Sequence, residues 1–408
     1  MFDHCHGCRR CVSLCDAFPT LFDLVDESST LEVDGVDKQD YWRVVDECFL
    51  CDLCYQTKCP YIPPHPWNID FPHLMLRAKA VQFKKGERRL AHRLISNTGI
   101  TGTLGSIPVI SQALNAGNRN AAARKVLEKT LDIHRDAHLP EFHTDTLRRR
   151  HQHRQPLDAP AQAAGPTRGR AALFTTCYCN VNEPDIGDDL VAVFEHNGIP
   201  VRLTAKEKCC GMPKLEQGDL ETVDKYQRAN IPELLRLIDA GWDIVAAVPS
   251  CVLMFKQELP LMYPDNADVL KVKQHIYDPF EYLAHRHKEG LLNTEFRNPI
   301  GTVAWHVPCH QRVQNIGPKT RQILELVPGS TIQAIERCSG HDGTYGVRTG
   351  SYASSRKIAK PVISRVEKAQ ADYLVSDCPM AATQIAAGLE LKHGETNPLS
   401  LLRKAYGI

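Results

Sequence analysis

The hydropathy pattern beyond residue 168 alternates short apolar strands with amphipathic helices, and this alternation occurs twice. In the first round the predicted elements are strands at 171–174, 199–203 and 244–248 and a helix at 184–196. In the second round they are strands at 303–305, 331–335 and 373–375 and a helix at 319–326. Strands that alternate with helices are typical of parallel sheets. The pattern therefore predicts two tandem α/β units, residues 169–298 and 299–408.

Between residues 71 and 168 the pattern is weaker and predicts a helical extension followed by a linker. An apolar stripe predicts a helix from His73 to about Arg93. Its polar face is basic and consists of Arg77, Lys79, Lys84, Lys85, Arg88, Arg89 and Arg93. Such a face suits an anionic membrane surface or an acidic partner, and it equally suits plain solvation.

Three shorter segments complete this region. The glycine-rich stretch 99–105 lacks the lysine and spacing of a P-loop and predicts an ordinary loop. Residues 121–129 predict a helix. The basic run 148–154 and the alanine- and proline-rich run 159–166 predict a solvated linker, because such low-complexity sequence with helix breakers is typical of linkers.

Composition argues against nucleic-acid-binding, membrane-spanning and secreted proteins. The 408 residues carry a net charge of +1, which gives no support for nucleic-acid binding. The longest apolar run, 244–255, is interrupted by Pro249 and is too short to span a bilayer, so we expect no transmembrane segment. The first residues do not resemble a secretory signal, and sixteen cysteines then indicate a reducing compartment. We expect the protein in the cytoplasm, either free or peripheral on the inner face of the membrane.

Eight of the cysteines fall within the first 59 residues, in two runs that each have three closely spaced thiols and a trailing fourth. This spacing is typical of ferredoxins in which the fourth cysteine of each run ligates the other cluster. Residues 1–70 therefore predict a ferredoxin-like domain with two [4Fe–4S] clusters. One would be held by Cys5, Cys8, Cys11 and Cys59, and the other by Cys48, Cys51, Cys54 and Cys15. Structural zinc and disulfides are the alternatives, and triplets this tight suit neither.

The other candidate ligands follow the predicted strands of the two α/β units. They are Cys177, Cys209, Cys210 and Cys251 in the first unit, and Cys309, Cys338 and Cys378 in the second. Equivalent cysteines lie 132, 129 and 127 residues apart, which indicates a duplication. Functional groups of parallel sheets gather beyond the carboxyl ends of the strands, so we expect these thiols to converge on one edge.

These residues resemble the duplicated cysteine-rich (CCG) domain of the heterodisulfide reductase superfamily. The whole chain resembles the Fe–S oxidoreductases of that superfamily, a group that includes one component of anaerobic glycerol-3-phosphate dehydrogenase. The resemblance is carried by the stretches 176–178, 182–187, 209–216 and 338–346. It implies a multidomain α+β fold, with a helical two-cluster ferredoxin domain before two CCG units. It also implies an electron-transfer subunit that receives electrons from a flavoprotein dehydrogenase and passes them toward an acceptor such as quinone.

Neither copy has the complete motif of five cysteines. Met254 replaces the last cysteine of the first copy, and Ser339 and Ala381 replace two cysteines of the second. The first copy still offers four thiolates for one iron–sulfur centre. The second offers three, and His306, His310 or His341 could add a fourth ligand for iron or zinc. Alternatively the two copies share one cluster.

Two other functions remain open from the sequence. The chain could be a catalytic thiol or disulfide reductase with the first copy as the reaction site, although the missing cysteines argue against it. It could also be a zinc-stabilised scaffold without redox function. The sequence assigns no catalytic residue, and it leaves the substrate of the electron donor open.

Overall fold

The computed structural model describes residues 1–86, 90–389 and 395–408, with the side chains of all of them except Leu90 and Glu395. Of the predicted basic helix face, Arg88 and Arg89 lie outside the described residues. Among the residues that are described, no helix is both long enough and apolar enough to cross a membrane.

The N-terminal segment is helical and has its own small core. Its helices are α1 (Phe2–Cys8), α2 (Ala17–Asp26) and α3 (Tyr41–Glu47), followed by a π-helical turn (Cys54–Lys58). Helix α2 buries Phe18, Leu21, Phe22 and Val25, whose spacing of three and four residues forms one apolar face. This face packs against α3 and against Phe71, whose ring centroid lies 4.6 Å from that of Phe18.

Six helices follow the cysteine-rich segment. They are α4 (Phe71–Lys84), α5 (Leu90–Ile95), α6 (Thr98–Gly105), α7 (Pro108–Arg119), α8 (Ala121–Leu131) and α9 (Leu147–Arg150). The prediction of a single helix from 73 to 93 is wrong, because α4 ends at Lys84 and Gly86 has a φ of 78°. The predicted basic face is also incomplete. Lys79 is buried and donates to the Cys48 carbonyl, and the Arg93 guanidinium lies over the Phe83 ring.

The prediction of a loop at 99–105 is wrong as well, since these residues form helix α6. The Asn97 side chain accepts a hydrogen bond from the Ile100 backbone N–H, which caps the helix. A Cβ on Gly105 would lie 2.1 Å from the Phe142 ring. The glycine therefore allows close packing of a helix, whereas the sequence pattern indicates an ordinary loop.

The basic run 148–154 is not a solvated linker. Arg148 donates to the Thr204 carbonyl at 2.7 Å and pairs with the buried Glu207. Arg150 pairs with Asp185 and Asp188 on the following α/β unit. These ion pairs fix the end of the helical extension to the sheet that comes next. The prediction of a helix at 121–129 is confirmed by α8.

The first α/β unit is built on a four-stranded parallel sheet with the order β2-β1-β3-β4. Its strands are β1 (Ala171–Leu173), β2 (Val201–Leu203), β3 (Asp243–Val245) and β4 (Ile276–Tyr277). Its helices are α10 (Cys177–Val181), α11 (Pro184–His196), α12 (Met212–Gln217), α13 (Leu220–Asp239), α14 (Pro249–Leu253), α15 (Leu259–Met262), α16 (Ala267–His275) and α17 (Pro279–Lys288). Strands β1 and β3 are buried throughout, as expected for a sheet covered on both faces.

The second α/β unit repeats this arrangement with the parallel order β6-β5-β7-β8. Its strands are β5 (Thr302–His306), β6 (Thr331–Ile335), β7 (Tyr373–Ser376) and β8 (Glu395–Thr396). Its helices are α18 (Cys309–Arg312), α19 (Lys319–Leu324), α20 (Tyr352–Ala369), α21 (Pro379–Ala386) and α22 (Pro398–Tyr406). The six strands predicted from the sequence are confirmed, and the short fourth strand of each sheet is an addition.

The two units are joined by buried polar contacts and by the last helix. Gln311 donates to Asp278 of the first unit at 3.2 Å and also to Thr320, whose hydroxyl donates to Asp377. Helix α22 packs against α11 of the first unit, where Arg403 pairs with Asp189 at 2.9 Å. The apolar core is continuous across both units. The two sheets are therefore held in a defined relation to each other.

Candidate metal centres

The cysteines of both α/β units follow the carboxyl ends of their strands and meet at one cavity of about 140 Å³. This central cavity is lined by Cys51, Cys177, Cys209, Cys210, Cys251, Cys309, Cys338 and Cys378. Three neighbouring strands of each sheet are parallel, namely β1, β2 and β3 in the first and β5, β6 and β7 in the second. The segments that follow these strands therefore emerge at the same edge of the sheet. The seven predicted thiols of the two units are thus brought together, with Cys51 of the N-terminal segment among them.

Four thiols of the first unit form a hydrogen-bonded group. Hydrogen bonds from Cys177 and Cys210 lower the pKa of Cys209 well below its usual range, while the same contacts and burial raise the pKa of Cys177 and Cys210. Cys251 is also buried and contacts Cys210. The direction of these pKa shifts favours negative charge on sulfur at Cys209, within a set of four possible thiolate ligands.

Equivalent glycines direct backbone N–H groups at sulfur in the two units. Gly340 donates to the Cys338 sulfur at 3.3 Å, and Gly211 donates to the Cys209 sulfur. Gly211 has a φ of 105° and Gly340 a φ of 72°, both in the left-handed region that favours glycine. A Cβ on Gly340 would lie 2.2 Å from the Ser355 carbonyl oxygen. Close approach of the backbone to the thiols therefore depends on glycine at both positions.

The second unit brings together three thiols instead of four. Burial raises the pKa of Cys309, and the charges of Cys338 and Cys378 raise it further. Ser339 and Ala381 also line the central cavity, at the positions where the first unit has Cys210 and Met254. Met254 is fully buried, and its Cε lies 3.4 Å from the position of a Cβ on Gly211. Met254 therefore packs against the motif glycine.

Of the three histidines predicted as possible extra ligands, His306 has both ring nitrogens engaged. Its Nδ1 lies 2.9 Å from Ser376 Oγ and its Nε2 lies 2.9 Å from the Arg337 carbonyl. His310 uses Nδ1 with Ser250. His341 lines the central cavity, and its buried Nε2 has no hydrogen-bond partner among the described residues. His310 Nε2 is likewise buried at the cavity without a hydrogen-bond partner among the described residues, so His310 and His341 are both better placed than His306 to add a ligand.

The first N-terminal group consists of Cys5, Cys8, Cys11 and Cys59, which line a separate small cavity. Burial raises the pKa of Cys5 to about 12 and that of Cys11 to about 11, and the neighbouring thiols of the group add to both shifts. The basic side chains of Arg10 and Lys58 lie at the edge of this cavity and are exposed. The structure thus places Cys59 with the first cysteine run.

The second N-terminal group consists of Cys15, Cys48, Cys51 and Cys54. Besides burial, the charges of Cys48 and Cys15 raise the pKa of Cys54, and the charge of Cys48 raises that of Cys15. The backbone N–H of Leu50 donates to the Cys48 sulfur. Leu50 and Asp52 have φ values of 54° and 55°, so the chain turns sharply between the cysteines. Cys15 thus lies with the second run.

The four groups of thiols follow one another without a large gap. Besides burial, the charge of Cys11 raises the pKa of Cys54, which connects the two N-terminal groups. Cys309 and Cys338 raise the pKa of Cys51 in the same way. Cys251 raises the pKa of Cys378, which connects the second unit with the first. The second N-terminal group therefore adjoins the central cavity, which the thiols of both α/β units share.

Comparison with known families identifies the repeated unit. The model of the cysteine-rich domain called CCG matches residues 171–256 and residues 303–386. The chain carries two CCG domains. The predicted resemblance is confirmed in this respect, and the motif cysteines of each CCG domain are those that line the central cavity.

Several curated proteins are similar to the chain over a longer range. One component of the anaerobic glycerol-3-phosphate dehydrogenase of Escherichia coli (strain K12) is 27% identical over 342 residues, which is 83% of this chain and 83% of that protein. One component of the fumarate reductase (CoM/CoB) of Methanothermobacter marburgensis is 28% identical over 58% of this chain and 46% of that protein. An iron–sulfur protein of Methanococcus maripaludis is 27% identical over 54% of this chain and 42% of that protein.

Two carboxyl groups of the central cavity were missed by the sequence reasoning. Burial raises the pKa of Asp342 to about 7, and burial together with the charge of Asp342 raises that of Glu216 well above its usual range. Both lie within the motif stretches 209–216 and 338–346 that carried the resemblance. Their position in the motifs was therefore visible, but their approach to each other across the two CCG domains required the fold.

The donor set suits iron–sulfur centres. All sixteen cysteines are free thiols, and fifteen of them belong to the four groups described above. Cys179 is the exception, since it is buried beside Thr176 and does not line the central cavity. Thiolates with backbone N–H donors aimed at sulfur are the environment that proteins give to iron–sulfur clusters.

Proposed function

We propose that the protein is an iron–sulfur electron-transfer subunit of a dehydrogenase or reductase complex. Cys5, Cys8, Cys11 and Cys59 would hold one [4Fe–4S] cluster, and Cys48, Cys51, Cys54 and Cys15 a second. Cys177, Cys209, Cys210 and Cys251 would hold a further iron–sulfur centre, and Cys309, Cys338 and Cys378 would bind iron or zinc with a fourth ligand. When bound, iron–sulfur clusters take up and release single electrons.

One observation carries this proposal: Cys51 of the N-terminal segment lines the same cavity as the seven motif thiols of the two CCG domains, so the thiol groups form a continuous series. A structural zinc protein has no need of such a series, because each zinc site closes its own four ligands. Two of the relatives are named as components of a dehydrogenase and of a reductase, and a third as an iron–sulfur protein. These names agree with a redox role beside a partner protein.

We assign the donor to the N-terminal end of the series. The first thiol group lies near the surface, and Arg10 and Lys58 are exposed around it. Such a basic rim favours docking of an acidic surface and would steer its approach. A flavoprotein dehydrogenase with an acidic patch beside its flavin is the donor that this end fits.

We assign the acceptor to the other end, where an uncharged helical hairpin meets the first CCG domain. Residues 94–118 contain no Asp, Glu, Lys or Arg, and they form most of α6 and α7 together with the end of α5. Large apolar side chains stand exposed along this hairpin: Leu94, Ile100, Leu104, Ile107, Val109 and Leu114. Thr98 at the start of α6 lines the central cavity, and its hydroxyl helps to lower the pKa of Cys209 after the neighbouring thiols.

The hairpin fits a membrane surface. Exposed lysines and arginines flank it, namely Lys84 and Lys85 before it and Arg119, Lys125 and Lys129 after it. An apolar surface with a basic border is typical of peripheral proteins on anionic lipid. A quinone dissolved in the membrane could then reach the central cavity, and its reduction to quinol takes two electrons and two protons. The carboxyl groups of Glu216 and Asp342 are placed to supply those protons.

Reduction of a vesicle-bound quinone by a reduced flavoprotein donor tests this function. We expect the wild type to associate with anionic vesicles and to reduce the quinone. Leu104→Asp should lose both properties, because it places a charge at the lipid contact. The control Leu261→Asp should keep both, since Leu261 is 56% exposed on the first CCG domain outside the hairpin. Full quinone reduction by Cys210→Ala would contradict the proposal.

A second candidate function is thiol–disulfide reduction in the first CCG domain. The hydrogen-bonded thiols around Cys209 favour it, because a lowered pKa favours the thiolate, which is the nucleophilic form. Met254 in place of the fifth cysteine argues against it. Reduction of a small disulfide that is lost in Cys210→Ser, without any quinone reduction by the wild type, would make this the main function.

A further inference from the structure

Three side chains from separate segments meet where the N-terminal segment packs against the first CCG domain. Asp52 lies between Cys51 and Cys54, His73 lies in the first turn of α4, and Glu258 ends the π-helical turn that follows α14. One possible ligand atom from each of them lies within 4.8 Å of the other two. His73 Nε2 and Glu258 Oε2 are 3.4 Å apart, a usual separation for two ligands of one metal ion.

The surrounding residues orient these ligand atoms. Asp70 accepts a hydrogen bond from His73 Nδ1 at 2.8 Å, which leaves Nε2 facing Glu258. A histidine held by a carboxylate on one nitrogen is the common arrangement of metal-binding histidines. Gln257 donates to Asp52 Oδ2 at 2.7 Å and to Glu258 Oε1 at 3.2 Å. Both carboxylates of the triad are therefore fixed, as is the imidazole.

The charges at this junction call for a cation. Asp52 is 3% exposed and Glu258 is 6% exposed, and Asp70 adds a third carboxylate beside a single imidazole. Among the described residues, His73 is the one basic side chain that pairs with these carboxylates, at Asp70 and Glu258, and no lysine or arginine forms a salt bridge with any of the three. Buried carboxylates without such partners are usually paired with another cation or with a metal ion.

We propose that Asp52, His73 and Glu258 bind one divalent first-row cation, zinc, manganese or ferrous iron. One imidazole nitrogen with carboxylate oxygens suits these ions, whereas calcium takes six to eight oxygen ligands and magnesium keeps most of its waters. The cation links the Cys51–Cys54 loop to the segment after Cys251. It thereby fixes the second N-terminal thiol group against the first CCG domain.

Manganese titration of the anaerobically isolated, iron-loaded protein tests the site. Manganese is the probe because it binds thiolates weakly and its EPR signal distinguishes free from bound ion. We expect about one tightly bound manganese per wild-type chain and none in Glu258→Gln or His73→Asn. Asp70→Asn should weaken binding by about 10- to 100-fold, as found for residues that orient a metal-bound histidine. Asparagine also caps helices well, so this variant keeps the start of α4.

The matched control is His151→Asn, which removes another histidine paired with a carboxylate. His151 contacts Asp188 at 2.6 Å, but Arg150 already neutralises that carboxylate. Manganese binding should not change in this variant. Manganese should raise the melting temperature of the wild type and of His151→Asn, but not that of Glu258→Gln or His73→Asn. Equal binding by wild type and Glu258→Gln, or no binding by the wild type, would overturn the proposal. Iron is counted separately, so either result leaves the proposed redox function untouched.

Discussion

The two CCG domains share one sheet topology and one placement of ligands, but they differ in the ligands themselves. In both domains the motif residues follow three neighbouring parallel strands, and a glycine directs its N–H at the cysteine two residues before it. The first domain has four thiols at these positions and the second has three, with Ser339 where the first has Cys210. The comparison teaches that the fold fixes where a centre can form, while single side chains decide whether it does.

The domains also differ in what lies next to them. Both domains adjoin the second N-terminal group, the second beside Cys51 and the first through the hydrogen bond of Gln257 to Asp52, but only the first also faces Thr98 and the uncharged hairpin. The domain with four thiols is thus the one that also meets the hairpin. This arrangement agrees with a first domain that meets the acceptor.

Exchanging the ligand residues that distinguish the two domains should change the iron content of the protein, and this is the largest effect that we expect. Cys210→Ser makes the first domain resemble the second, and we expect it to lose about four irons per chain because a cubane needs four ligands. Ser339→Cys gives the second domain a fourth thiol, and we expect iron content to rise, with a new or altered EPR signal. Iron analysis and EPR of the reduced protein measure both changes.

Two matched variants make this exchange interpretable. Cys179→Ala removes a buried thiol outside the four groups and should leave the iron content unchanged. Ser339→Ala changes the same position without adding a ligand and should behave as the wild type. An unchanged iron content in Cys210→Ser would show that the first domain does not depend on its fourth thiol, and the contrast between the domains would then have no chemical meaning.

The repeated α/β architecture could be predicted from the sequence for identifiable reasons. Buried strands such as Val303–Trp305 are apolar throughout, and the cysteines mark the carboxyl ends of the strands at a nearly constant offset. A further signal was available, because Pro232 and Pro361 lie inside α13 and α20 at the same 129-residue offset as Cys209 and Cys338. Local pattern and duplication sufficed for this part of the fold.

The helical extension could not be predicted in the same way, because its contacts are with distant residues. The helical packing at Gly105 depends on contact with Phe142. The position of the basic run depends on ion pairs with Glu207, Asp185 and Asp188. The triad of Asp52, His73 and Glu258 has the same origin, since it joins residues up to 206 positions apart. Composition indicated a loop and a solvated linker here, whereas contacts with distant residues produce a helix and an ion-paired segment.

Substitution of the two motif glycines should lower the free energy of unfolding by different amounts, which is a smaller effect. Alanine at Gly340 would place Cβ 2.2 Å from the Ser355 carbonyl oxygen, whereas at Gly211 the nearest atom, Met254 Cε, is 3.4 Å away. Both substitutions also force alanine into positive φ, at a cost of about 1–2 kcal/mol. We therefore expect Gly340→Ala to destabilise the protein by roughly 3 kcal/mol or more and Gly211→Ala by about 1–2 kcal/mol.

Thermal and denaturant unfolding of the two glycine variants measures this difference. Gly290→Ala is the control, because Gly290 has a φ of 69° with no atom within 4 Å of the added Cβ, so that only the backbone cost remains. Equal destabilisation by Gly340→Ala and Gly290→Ala would contradict the close packing of the second motif against α20.

Iron and sulfide analysis of the anaerobically isolated chain, combined with EPR during reductive titration, tests the central claim most directly. The account predicts about eight irons and as many sulfides from the N-terminal thiols and about four more from the first CCG domain, with magnetic interaction between neighbouring reduced centres. Colourless protein that contains zinc, or protein with no reducible paramagnetic centre, would contradict it.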